Sequence, residues 1–295
     1  MEDMISKLKV GSTILIMCLS FMSFSNFDII VSAILILSFG LVHGACDIAL
    51  ITTKLKTSSL KVKSGFILLY IILAFGSFFI VFKLPLIGFI VFLFISSYHF
   101  GEQHFHLKLK NSKIRFWQFL FYGLLIFMLM IETHEKMVLE VLSTLLDYKI
   151  EGFPIQLILF LSMSMTFFLW AMDYKKIEFS IPKELFNLLI IYLLFYTTSL
   201  MVSFATYFVV WHSIPSILDQ ISFLHKEVSA KTILLYLKKS GFYWAISIAG
   251  LVFLISFKDI MGEDFYLIIY SFMVSITIPH MVVINNILSK PNCEL

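Results

Sequence analysis

The chain has 295 residues, of which 60% are hydrophobic and 14% are charged, and its formal net charge is +3. Soluble domains carry about 25% charged residues, so the composition excludes a soluble enzyme and indicates a polytopic membrane protein. Nucleic-acid binding is also excluded, because it requires a basic face and the Lys and Arg residues here lie in short clusters between apolar runs.

Ten apolar segments are long enough, or nearly so, to cross a bilayer, for which about 20 residues are needed. They are Val10–Phe24, Ile29–Ile51, Ser64–Phe82, Leu84–Phe105, Ile114–Ile131, Pro154–Met172, Leu185–Met201, Phe204–Leu224, Gly241–Phe257 and Phe265–Leu288. The seventh and eighth are barely separated, so nine spans is the alternative count. The predicted fold class is all-α, a membrane helix bundle of about ten transmembrane helices that forms a single integral membrane domain over residues 1–295.

The basic residues lie in alternate loops. They precede the first segment and follow the second, fourth, sixth and eighth, whereas the loop after the fifth segment is acidic. The basic residues of these loops are Lys7, Lys9, Lys54, Lys56, Lys61, Lys63, Lys108, Lys110, Lys113, Arg115, Lys175, Lys176, Lys183, Lys226, Lys231, Lys238 and Lys239, and the acidic loop carries Glu132, Glu135, Glu140, Asp147 and Glu151. Excess Lys and Arg marks the cytoplasmic side. The pattern therefore predicts a multi-pass protein of the cell inner (plasma) membrane, with both termini cytoplasmic and every even-numbered helix running inward.

The acidic loop has apolar residues at helical spacing from Met137 to Leu146. This spacing predicts a short helix on the outer surface, with a solvated loop as the alternative. His134 lies in the same loop, outside the bilayer, and is not predicted to bind a metal.

One histidine lies in each of four apolar segments: His43 in GLVHGACDIAL, His99 in ISSYHFGEQHF, His212 in VVWHSIPSI and His280 in ITIPHMVVI. A single buried histidine is more often a packed core residue than a ligand. Four of them, all on even-numbered helices, suggest a shared metal, because a buried imidazole needs a partner and neutral imidazole is the commonest protein metal ligand. At about 1.5 Å per residue, His43, His99 and His280 lie roughly 21–23 Å from the outer helix ends. His212 is shallower by up to ~10 Å unless its helix begins a few residues earlier.

The residues beside these histidines favour a built site. Two glycines permit close approach and two prolines interrupt helix hydrogen bonding; they are Gly44, Gly101, Pro215 and Pro279. Asp47, Glu102 or a helix carbonyl could accept the second N–H of a metal-bound imidazole. Cys46 is either a soft ligand or a small apolar residue of the helix, and the three cysteines, odd in number and far apart, predict no disulfide framework. His104, His106 and His225 are weaker ligand candidates because of their helix face or their position at a helix end.

At GLVHGACDIAL, YHFGEQHF, WHSIPS and IPHMVVI the sequence resembles the Brp/Blh family of membrane β-carotene dioxygenases, which form retinal. The resemblance extends from the second segment to the last. It implies an Fe(2+) ion held by His43, His99, His212 and His280, with O2 as co-substrate. It also implies cleavage of the central double bond of β-carotene into two retinals, which would be available for delivery to a rhodopsin. The single domain would then be a catalytic domain embedded in the lipid bilayer.

Two positions depart from the family pattern. Some relatives carry a second histidine one turn after the WH pair, where this chain has Ser216, and relatives tend to have an acidic residue where this chain has His104. These changes leave the fourth metal ligand open. Two other functions use the same buried histidines: a membrane haem protein for electron transfer, and a proton or metal transporter. The transporter would require histidines staggered in depth and more carboxylates within the membrane than Asp47 and Glu102.

Overall fold

The computed structural model describes residues 2–22, 26–55, 59–109, 111–150 and 152–288, and these ranges contain helices and no β-strand. The α-helices are α1 Glu2–Phe21, α2 Phe27–Leu35, α3 Asp47–Lys54, α4 Leu60–Lys83, α5 Pro85–Phe105, α6 Arg115–Thr133, α7 Glu135–Leu146, α8 Ile155–Met172, α9 Ile181–Thr197, α10 Leu200–Thr206, α11 Ile214–His225, α12 Ala230–Ser256, α13 Lys258–Met261 and α14 Phe265–Leu288. The predicted all-α class is confirmed. Lys56, Lys110, Glu151 and Cys293 lie outside the described residues.

Eight helices in the described ranges are long and apolar enough to cross a membrane. They are Met4–Phe21, Leu60–Lys83, Pro85–Phe105, Arg115–Thr133, Ile155–Met172, Leu200–His225, Ala230–Ser256 and Phe265–Asn285. A further apolar helix, Phe27–Gly40, is shorter, and α9 has 17 residues. Many large apolar side chains point outward, such as Phe253 on α12 at 60% exposure, as expected when lipid is the solvent. The polytopic membrane class is confirmed, and the predicted count of ten is reached only by including the two shorter helices.

The predicted continuous second span, Ile29–Ile51, is wrong. Helix α2 is followed by a π-helix, Ile36–Gly40, and the chain then makes a turn at His43–Cys46 before α3 begins at Asp47. The turn contains Gly44, and Gly is among the weakest helix formers. The break therefore falls on the segment that carries the first of the four histidines.

The seventh and eighth segments are separate helices. Helix α9 ends at Thr197, and the Ser199 side chain caps the next helix by accepting from the Val202 N–H. The eighth helix runs from Leu200 through a π-helical stretch, Tyr207–Ser213, to His225. It therefore begins four residues before the predicted Phe204, and this earlier start is the condition under which His212 was predicted to be level with the other histidines.

The described residues form two compact units, one within 1–40 and 96–216 and the other within 41–95 and 217–295. In the first, α6 packs against α8 through Met128, Ile131 and Ile155. Helix α5 crosses α6 at van der Waals distance, because Gly101 lies against the Phe119 backbone and Gly123 against the Ser97 backbone. The close approach predicted at Gly101 is confirmed. The single catalytic domain over residues 1–295 stays a prediction.

In the second unit, α14 packs against α3 and α4. Leu50 of α3 and Ile284 of α14 are fully buried in this contact. Cys46 lies in a second cluster with Ile221 of α11 and Tyr236 of α12. The Cys46 side chain is thus one of the small buried residues of a helix interface.

Helix α7 confirms the short-helix alternative for the loop after the fifth segment. His134, immediately before it, has Nδ1 3.0 Å from the Met130 carbonyl oxygen and Nε2 2.9 Å from the Thr198 carbonyl oxygen. Its role in the structure is to hold this loop against the end of α9.

Candidate metal centre

His43 and His280 lie together in the second unit. Their ring centroids are 4.6 Å apart and their planes meet at 86°, and both side chains are buried. His280 Nδ1 is 2.8 Å from Asp47 Oδ1, and the Tyr70 hydroxyl donates to Asp47 Oδ2 at 3.0 Å. The carboxylate therefore fixes the His280 ring and leaves Nε2 as the nitrogen that would face a ligand.

The turn at His43–Cys46 is held by polar side chains from α11 and α12. A broken helix leaves carbonyl groups without helical partners, and in an apolar environment these must be satisfied by other protein groups. Gln220 donates its side-chain N–H to the His43 carbonyl at 2.9 Å, and Tyr236 donates its hydroxyl to the Gln220 side-chain oxygen at 2.8 Å. This chain of hydrogen bonds fixes the backbone that carries His43.

His99 and His212 lie together in the first unit. Their ring centroids are 4.8 Å apart with an interplanar angle of 72°, and both are buried. The Phe100 ring centroid lies 4.5 Å from that of His212. The Phe208 ring also stacks on His212, with the two centroids 5.6 Å apart. This second pair is therefore enclosed by aromatic rings.

Two π-helices of the first unit lie at the His99–His212 pair. His212 lies inside the π-helix Tyr207–Ser213, and the π-helix Ile36–Gly40 packs against it. A Cβ atom added at Gly40 would lie 3.1 Å from the Phe208 ring, so a glycine at this position permits the close packing. π-Helical turns occur frequently at functional sites, and neither was predicted from the sequence.

The remaining predicted site residues have separate partners. Asp47, one of the groups predicted to accept an imidazole N–H, lies against His280. Glu102 is buried and accepts the Tyr98 hydroxyl at 3.2 Å, and Ser216 is also buried. His104 has Nε2 2.9 Å from Glu184 Oε1.

Glu184 is the centre of a polar cluster that the sequence did not reveal. Besides His104, it accepts a hydrogen bond from the Tyr122 hydroxyl and one from the Asn187 side chain at 3.2 Å. It is separated from His104 by 80 residues (184 − 104), so no local spacing could have paired them. A carboxylate at the start of an apolar helix was the only signal.

We expect Glu184→Leu to destabilise the protein by about 1–3 kcal/mol or more, because it leaves the buried hydrogen-bonding groups of His104, Tyr122 and Asn187 without their acceptor. The double variant with His104→Leu should recover part of the loss. Thermal unfolding of the purified protein in detergent measures both. Equal unfolding temperatures for Glu184→Leu and the unchanged chain would show that the cluster contributes no stability.

The donor chemistry of the two histidine pairs is suitable for a metal. In the described part of the chain, no three His, Cys, Asp or Glu side chains form a metal-binding group. Each unit nevertheless places two buried imidazoles side by side, and His280 has the carboxylate partner that metal-binding histidines commonly have.

The fold is that of a polytopic membrane protein. It contains two pairs of buried imidazoles. Residues 34–288 match the β-carotene 15,15'-dioxygenase family. Since the match covers most of the chain, the protein belongs to this family. The predicted enzyme class, a carotenoid-cleaving dioxygenase, is confirmed, and family membership favours it over the haem and transporter alternatives.

A curated relative has the same description. The β-carotene 15,15'-dioxygenase of uncultured marine bacterium 66A03 is 28% identical to this chain over 259 residues, which cover 85% of this chain and 90% of the relative. No solved structure matches the chain. The matched family region contains all four histidines of the two pairs.

Proposed function

We propose that this protein uses Fe(2+) and O2 to cleave the central double bond of β-carotene into two retinals. One O2 is consumed for each carotene, and one oxygen atom enters each aldehyde. The observation that carries the proposal is the family match over residues 34–288. The burial of two imidazole pairs among mostly apolar membrane segments supports it.

His43, His99, His212 and His280 are the proposed ligands. Two features support the inclusion of His280: its ring lies against His43, and Asp47 holds its Nδ1. Ferrous iron held by histidines with open positions would supply the one-electron chemistry that O2 requires. Asp47 would fix the orientation of the His280 ring, and Tyr70 would in turn fix the carboxylate.

The other residues of the site exclude water and position a hydrocarbon. Phe100 and Phe208 lie against His212, so water is kept from that imidazole. β-Carotene has no polar group, and the cleavage needs no protein acid or base. The central bond must therefore be selected by the shape of the apolar walls, because a hydrocarbon can be positioned only by how well it fits them.

The substrate and product are both lipid-soluble, which agrees with a site among membrane helices. We propose the cell inner (plasma) membrane as the location, with both termini cytoplasmic as the loop charges predict. β-Carotene would enter from the lipid bilayer. Retinal would leave into it, where a retinal-binding partner such as a rhodopsin could take it up.

Expression in a bacterium that accumulates β-carotene tests the proposal. We expect the cells to lose carotene colour and to form retinal, measured by chromatography of the extracted pigments, with about two retinals for each carotene lost. Folded protein in the membrane with unchanged carotene would contradict the proposal. Products other than retinal would move the cleavage to another bond.

A further inference from the structure

A cavity of about 300 Å³ lies in the second unit, between α3, α4 and α14. Its walls are mostly apolar and include Ile51, Leu69, Leu73 and Val283. Its volume is at the lower end of the range for small-molecule sites, about 300–1,000 Å³. The lining suits a hydrocarbon and offers little to a polar ligand.

Two residues of the cavity wall connect it with the His43–His280 pair. Tyr70 and Pro279 both line it. Pro279 directly precedes His280 in α14, and the Tyr70 hydroxyl binds the carboxylate that holds the His280 ring. The groups that orient His280 are therefore also part of the cavity wall.

Lys54 contributes to the lining at the C-terminal end of α3. Its side chain is exposed, and long basic side chains place their apolar stems along a hydrophobic surface while the ammonium stays in the interface. The stem of Lys54 thus extends the apolar wall.

We propose that this cavity receives one ring end of the carotenoid substrate and so determines which double bond lies at the histidines. This inference rests on the proposed function and identifies the substrate-fitting wall of the same site. β-Carotene ends in a cyclohexene ring on each side, which is wide, rigid and apolar. A cavity bounded by three packed helices, with a proline and a hydrogen-bonded tyrosine in its wall, suits a rigid ring.

A cavity-filling variant provides the first test. Leu73 lines the cavity and is partly buried, whereas its neighbour Ile72 is 57% exposed and is not part of the lining. We expect Leu73→Trp to lower retinal formation at least tenfold or to shift cleavage to another double bond. Ile72→Trp should stay within twofold of the unchanged chain. If Leu73→Trp does not fold, Leu69→Phe fills the same cavity from a more exposed position.

A binding measurement separates this inference from the proposed function. We expect β-ionone, a ring compound of thirteen carbons, to raise the unfolding temperature of the purified chain, since a ligand that binds only the folded state stabilises it. The linear ketone 2-tridecanone should not, and Leu73→Trp should lose the shift.

The possible outcomes are distinct. Equal shifts by both ketones would mean that the cavity holds a lipid acyl chain, and the inference would be overturned. Normal central cleavage by both folded cavity-filling variants would also overturn it. A shift by β-ionone in a chain that forms no retinal would reject the proposed function while leaving the cavity as a ring-binding site.

Discussion

Replacement of any one of His43, His99, His212 and His280 by Ala is expected to reduce retinal formation below detection and to lower the iron bound per chain. Removal of one imidazole takes away a ligand, and the neighbouring apolar side chains cannot bind the metal in its place. Retinal is measured by chromatography and iron by elemental analysis of protein purified under reducing conditions. The two readouts together distinguish loss of the metal from loss of substrate binding.

His225→Ala is the matched control, because this histidine lies at the end of α11 outside both imidazole pairs. It should retain iron and turnover. If His280→Ala also retains them, the fourth ligand is another residue, and Asp47 would then lose its proposed role. If all four variants retain iron, the histidine site is not where the metal binds.

Replacement of Gly101 or Gly123 by Ala should prevent stable folding. A Cβ atom at Gly101 would overlap the Phe119 carbonyl oxygen, and one at Gly123 would overlap that of Ser97. Backbone cannot move aside as a flexible side chain can, so α5 and α6 must separate. Overpacking in a core typically costs about 1–3 kcal/mol and occasionally more, and here we expect the upper end or beyond.

The yield of monodisperse protein and its thermal unfolding measure this effect. Gly65→Ala in α4 is the control, because an added Cβ atom there meets nothing within 4 Å, and it should fold like the unchanged chain. If Gly101→Ala also unfolds at the unchanged temperature, α5 and α6 are not in the contact that the structure shows.

Several helices could be predicted well from the apolar runs. Predicted Pro154–Met172 and Phe265–Leu288 agree closely with α8 and α14. In lipid, a long run of Leu, Ile and Phe can satisfy its backbone hydrogen bonds only by forming a helix. The prediction of one continuous helix over the second segment was wrong. The apolar run of that segment continues through His43–Cys46, but Gln220, 177 residues later, donates to the His43 carbonyl and is itself held by the Tyr236 hydroxyl, which permits the turn.

The site could be predicted only in part. The apolar setting of each histidine singles out the four residues, and the structure brings His43 to His280 and His99 to His212. The partner of Asp47 could not be predicted, because His280 lies 233 residues away in the sequence. Tyr70, Glu184 and Gln220 act through contacts with residues distant in sequence, and a single sequence contains no record of such contacts.

If the folded chain needs iron to convert β-carotene to retinal, removal of the iron must stop the reaction. The measurement uses the purified chain in lipid nanodiscs, first stripped with a chelator and then reloaded with Fe(2+), with O2 and β-carotene supplied. We expect no retinal from the stripped protein and two retinals per carotene after reloading, with about one iron per chain. Retinal formation at the same rate in the stripped, iron-free protein would contradict it.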